Sequence, residues 1–123
     1  MSKLKIQEGT RVGGYNWTEW KPFPDPRNNG YLYAPFGPGV YQLRNKVTEK
    51  YVLFGESKNV AFRMSSLLPF PVGKGTRKNP KKRDYVIKNI GDIEYRTLAC
   101  ITKEQALEIQ RELRYSYVHK FKK

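Results

Sequence analysis

The sequence predicts a small α+β domain in which three strands alternate with helices behind an irregular leader. Three observations predict it. Apolar and β-branched residues form three short strand-like runs. Helical spacing takes over after the second and third runs. Turn formers crowd residues 1–37, which are set apart as an aromatic-rich leader from a body spanning 38–123. At 123 residues the chain fits one compact unit, long enough to bury roughly two thirds of its unfolded surface.

In the leader, Pro22, Pro24, Pro26, Asn28, Asn29 and Gly30 interrupt any helix or central strand. Trp17, Trp20, Phe23, Tyr31, Tyr33 and Phe36 are spread among them. Water contact of so many rings is unfavourable, so the leader is expected to lie on the body, with some rings available for stacking on bases. Val40 to Arg44 forms the first strand, a polar loop follows, and Tyr51 to Gly55 forms the second. Ser57 or Asn59 can cap a short helix running to about Leu68, where Pro69 and Pro71 stop it. A basic loop leads to a short helix over Asp84 to Asn89, ended by Gly91. Ile93 to Ile101 alternates as a third strand, with Ile93, Tyr95, Thr97 and Ala99 on one face and Glu94, Arg96, Leu98 and Cys100 on the other. Thr102 and Gln105 have capping-box spacing and open a last helix reaching about Tyr117.

Composition narrows the partners. Lys plus Arg total 24 against 11 acids, a formal net charge of +13, and a small domain this basic is drawn to polyanions, above all phosphate backbones. One cysteine and one histidine exclude an internal disulfide and a Cys/His zinc site. No apolar run marks a signal peptide or a membrane span, so no membrane partner and a cytoplasmic location are expected. Between Pro69 and Arg83 the chain carries Lys74, Arg77, Lys78, Lys81, Lys82 and Arg83 with no acid, among glycines that suit phosphate contact. A solvated charge run would look the same.

On the last helix, Ala106, Gln110, Leu113 and Tyr117 share one stripe with Ile109 beside it, while Glu104, Glu108 and Glu112 lie opposite. Gln110 is the polar member of that stripe. A buried amide needs partners, so it is either a satisfied core amide or part of a site.

Gly39-Val40-Tyr41, then Leu53-Phe54-Gly55, then Arg63 eight residues after that glycine, resemble the two-part signature of the GIY-YIG nuclease superfamily over roughly residues 38–117. The resemblance implies a three-stranded antiparallel sheet flanked by helices and metal-dependent DNA cleavage with one Mg²⁺ or Mn²⁺. It implies that Tyr41 orients or deprotonates water, that Arg63 faces the scissile phosphate, and that Lys58 fills the family's lysine position. Leu53 stands where the second motif's tyrosine is expected. Tyr51, two residues earlier and on the same face by strict alternation, could supply a hydroxyl there or serve as a packing residue. The family's metal-binding glutamate maps to Gln110, four residues after Ala106. DNA is the implied partner, with cleavage impaired or absent and metal held weakly if at all. Two alternatives remain open: a Glu-to-Gln variant of an active endonuclease, and a non-catalytic basic protein of RNA or the ribosome.

Overall fold

The computed structural model describes residues 10–12, 15–25, 27, 30–68 and 80–121. The central element is β4 (Gly39–Asn45), which pairs antiparallel along its whole length with β5 (Lys50–Ser57) on one side and β6 (Ile93–Ala99) on the other. Asn45 closes the β4–β5 turn: its Oδ1 accepts from Val47 N at 2.9 Å and Thr48 N at 3.1 Å. Such side-chain mimicry of a turn is what asparagine offers.

The sheet has a fourth strand that the sequence reading missed. β3 (Lys21–Pro22) lies outside β6, giving the antiparallel order β3-β6-β4-β5. Proline is tolerated there because an edge strand has one side without ladder bonds. Upstream, β1 (Thr10–Val12) and β2 (Tyr15–Trp17) form a hairpin. The leader is thus less irregular than its prolines suggest. Thr18 N donates to Thr97 O and Phe23 N to Ile93 O, so it runs along the outer edge of β6.

Helix α1 (Val60–Ser65) is capped by Asn59, whose Oδ1 accepts from Phe62 N at 3.0 Å. It ends three residues before the expected Leu68, and Leu67 and Leu68 continue in tight turns bonded to Met64 O and Ser65 O. Helix α2 (Pro80–Lys88) begins four residues before the expected Asp84. Proline suits a first helical position, where its missing N–H would have no intrahelical partner. Strand β6 stops at Ala99, not Ile101, because Cys100 N bonds Pro38 O and Ile101 N bonds Gln105 Oε1 as the chain turns into α3 (Lys103–Ser116). Thr102 caps α3 as expected, accepting from Gln105 N at 3.1 Å. Among the described residues no helix is long and apolar enough to cross a membrane.

The sheet separates two cores. One face carries Tyr41, Leu43, Leu53, Ile93 and Tyr95 under α1 and α2, which supply Val60, Met64 and Val86. The other carries Val40, Phe54 and Leu98 under α3, with Trp17 from the leader. Both motif glycines mark close approaches. A Cβ on Gly39 would press on the Leu98 carbonyl and lie 3.0 Å from Val60 Cγ2. A Cβ on Gly55 would lie 2.6 Å from Tyr41 Cζ and closer still to its hydroxyl, because the phenol crosses directly over that glycine.

Gly55→Ala is therefore expected to cost about 2 kcal/mol by overpacking. Urea denaturation of the single and double variants checks the cause: Gly55→Ala should cost much less in a Tyr41→Ala background, and strict additivity would rule out the ring contact as the reason.

Candidate functional site

Tyr41 sits in the middle of β4, paired with Gly55 and Thr97, and is 8% exposed. Its neighbours Val60 and Met64 belong to α1, the helix that carries Arg63. That helix is held firmly at its start. Ser57 Oγ accepts from Asn59 N and donates to Asn59 O, and the leader carbonyls of Pro35 and Gly37 accept from Ala61 N and Val60 N. Arg63 is half-buried, and its carbonyl accepts from Ser66 Oγ at 2.8 Å. Lys58 is exposed in the turn before α1. Tyr41 is thus set by the β4–β5 hairpin, and Lys58 and Arg63 by the turn and helix that follow it.

Leu53 lies opposite Leu43 and is 1% exposed, a packing residue with no hydroxyl to offer. Tyr51 does not stand in for it. The β4–β5 register shifts between Leu43 and Arg44, leaving Val52 as an extra residue, so Leu43 pairs with Leu53 and Arg44 with Tyr51. A bulge of this kind breaks the two-residue period, and Tyr51 emerges on the α3 face. There its ring lies 4.7 Å from Tyr117 and 6.3 Å from Trp20.

Gln110 occupies the buried stripe of α3 with Ala106, Ile109 and Leu113, while Glu104, Glu108 and Glu112 are exposed. It is 8% exposed. Its amide has no hydrogen-bond partner among the described residues, yet it is not fully occluded from solvent. α3 covers the sheet face opposite α1 and packs mainly on β5. Lys103 bonds Glu56 at 3.0 Å at one end of α3 and Tyr117 meets Tyr51 at the other, so the helix runs antiparallel to β5. Tyr41 and Gln110 consequently flank the same edge strand from opposite faces. An amide oxygen can take one position around a hard cation but brings no charge. Among the described residues no group of three or more His, Cys, Asp or Glu side chains gathers to hold a metal. At the position that the resemblance assigns to the metal ligand, the described residues therefore offer an amide in place of a carboxylate.

Of the basic run, Lys74, Arg77 and Lys78 lie outside the described residues. Lys81, Lys82 and Arg83 are on the first turns of α2, not in a loop, and the Arg83 guanidinium donates to Leu68 O at 2.9 and 3.2 Å. That bond ties α2 to the turns after α1.

Sequence reasoning missed a buried polar network on the α3 face. Arg96, 5% exposed, donates to Gln42 Oε1 at 2.8 Å, and Gln42 Nε2 lies 3.1 Å from His119 Nε2. Trp17 and Trp20 stack on the Arg96 guanidinium at 4.2 and 4.7 Å, and Arg44 covers Trp20 at 4.1 Å. The signal was present: Gln42, Arg44, Glu94 and Arg96 are polar at alternating positions of paired strands. Nearby, at the hairpin end, an open cavity of about 770 Å³ is lined by Tyr51, Tyr85, Tyr117, His119, Lys50 and Lys120.

The fold is similar to crystal structures of the GIY-YIG N-terminal endonuclease domain of UvrC from Thermotoga maritima. The form bound to magnesium, its catalytic divalent cation, matches with a TM-score of 0.55 and 22% identity over 75% of this chain and 90% of that chain. A point mutant of the same domain, also bound to the cation, matches equally well over 75% and 89%. No protein-family model matches the chain, and no curated protein matches it. The likeness shows the fold: an antiparallel sheet flanked by helices, in the GIY-YIG arrangement.

The network has a pH signature. Burial, reinforced by the Arg96 charge, pushes the His119 imidazole down from 6.5 to about 4, with a backbone group of Tyr117 offsetting part of the shift. Between those values the unfolded chain holds the extra proton, so stability is full above about pH 6.5 and falls as pH drops towards 4. The expected loss is on the order of 3 kcal/mol. Denaturation curves across that window should show it in the parent chain and not in His119→Gln; equal slopes in both would refute it.

Proposed function

We propose that this chain is a DNA-binding protein on a GIY-YIG endonuclease scaffold, with phosphodiester cleavage impaired by Gln110. The observation that carries the reading is the amide in the buried stripe of α3 with no described partner, at the position where the family resemblance calls for a carboxylate. Supporting it, Tyr41, Lys58 and Arg63 keep the resemblance's other positions on the β4–β5 hairpin and the helix that follows it. The net charge of +13 supplies attraction to phosphate. Arg63 presents a planar, permanently charged fork suited to a phosphate oxygen. Tyr41, packed closely over Gly55, has a fixed ring, which suits the role of orienting water. Leu53 favours natural divergence over a single silencing substitution, because restoring the carboxylate would still leave the site one hydroxyl short.

Binding is expected to be strongly salt-dependent. If about five phosphates are neutralised, log affinity falls with log salt at a slope near −4 to −5. Replacing Lys78, Lys81 and Lys82 with alanine should flatten that slope by up to about three; an unchanged slope would reduce the basic run to a solvated surface.

Gln110→Glu tests the impairment. The variant should gain Mg²⁺- or Mn²⁺-dependent stabilisation, raising its melting midpoint by about 5 °C at tenfold excess over Kd. The parent chain should gain none. Cleavage of DNA by the variant would show that the carboxylate alone was lacking. Absence of both metal-linked stabilisation and cleavage would contradict the assignment of residue 110 to a metal position.

A further inference from the structure

Residues 31–37 cross the α1 side of the sheet without regular structure, and their apolar side chains divide between the core and solvent. Leu32 and Ala34 pack inward against the core beneath α1. Tyr31, Tyr33 and Phe36 point outward and are 71%, 66% and 85% exposed. Their backbone is nevertheless pinned. Tyr33 N donates to the Tyr95 hydroxyl at 3.0 Å, that hydroxyl donates back to Tyr33 O at 3.2 Å, and Pro35 and Gly37 are bonded to the first turn of α1. On α1 itself, next to Arg63, Phe62 is 70% exposed. Four large rings are thus held in water by a fixed framework, and apolar surface displayed in this way marks a place of contact.

The chemistry around the rings selects the partner. From Tyr31 to Tyr41 and from Ser57 to Leu68 there is no acid, while Lys58 and Arg63 lie among them and Lys81, Lys82 and Arg83 follow on α2. Aromatic faces set in positive charge fit a polyanion that carries flat apolar rings. Intact duplex hides those ring faces within its stack; unpaired bases present them. Stacking of bases on protein aromatics with basic side chains along the backbone is how sequence-tolerant single-strand binding works. We infer that Tyr31, Tyr33, Phe36 and Phe62 form a stacking shelf for unpaired bases, and that the substrate class of this protein is DNA with single-stranded segments, such as flaps or junctions. The inference rests on the DNA-binding reading of the α1 side and specifies it.

The test is fluorescence anisotropy on three probes of equal length: a thymine oligonucleotide, a blunt duplex, and that duplex with a thymine flap. The parent chain should prefer the flap and single strand to the blunt duplex by about tenfold or more at fixed salt. The combined Tyr31→Ala, Tyr33→Ala, Phe36→Ala, Phe62→Ala variant should lose that preference and keep its duplex affinity. Its salt slope should be unchanged, since the rings neutralise no phosphate. Tyr31→Phe with Tyr33→Phe should bind as the parent does, because stacking uses the ring and not the hydroxyl. If the combined variant fails to fold, Phe36→Ala and Phe62→Ala singly carry the same comparison. Unchanged single-strand binding in the variants, or an equal loss on duplex, overturns the shelf and leaves DNA binding standing. A stronger preference for a uridine RNA oligonucleotide overturns the DNA assignment. No binding to any DNA probe overturns the shelf together with the reading beneath it.

Discussion

A buried arginine organises this molecule. Arg96 lies under the α3 face of the sheet, and an uncompensated charge there would cost several kcal/mol. Its compensation comes from distant parts of the chain: Gln42 from the central strand, Trp17 and Trp20 from the leader, and His119 from the segment after α3, through Gln42. Stacking of a desolvated guanidinium on indole contributes up to about 2 kcal/mol. Satisfying one charge therefore draws the leader and the C-terminal segment onto the sheet. That segment then extends the exposed edge of β5, where Lys120 N and Phe121 N bond Tyr51 O and Val52 O.

The consequence is a division of labour between faces. The α3 face is filled by the network and its aromatic neighbours. The α1 face retains Tyr41 over Gly55, Arg63 on a capped helix, and the basic and aromatic surface beyond them. One inserted residue, Val52, keeps the two apart. Without it Tyr51 would share a face with Leu53, and Arg96 would lose part of its aromatic surround. The positions that carry the sequence resemblance are thereby divided, with Tyr41 and Arg63 on the α1 side and Gln110 under α3.

Much of this was legible in the chain. The α3 stripe followed from helical periodicity, and it separated Gln110 from three nearby glutamates. Asn59 and Thr102 announced their helices as caps, and alternation gave both faces of β6 correctly. What escaped was non-local or broke a period. The Val52 bulge is invisible to alternation because a strand run with one extra residue still looks like a strand run. Pro80, inside the stretch read as a basic loop, opens α2 because its ring suits a first helical position. The leader's pairing with β6 depends on backbone bonds across more than seventy residues of sequence, between Thr18 and Thr97, which local propensity cannot report. The Arg96 network joins the leader, two strands and the C-terminal segment, which only the fold brings together.

The central claim is that DNA meets the α1 side and the β5 edge, while the Arg96 network on the α3 face is structural. Amide chemical-shift mapping during a DNA titration measures both faces at once. The account predicts shifts at Tyr33, Phe36, Lys58, Phe62, Arg63, Lys81 and Lys82, with Tyr51, Trp17, Gln42 and His119 unmoved. Shifts concentrated around Tyr51, Tyr117 and His119, with the α1 face silent, would contradict it.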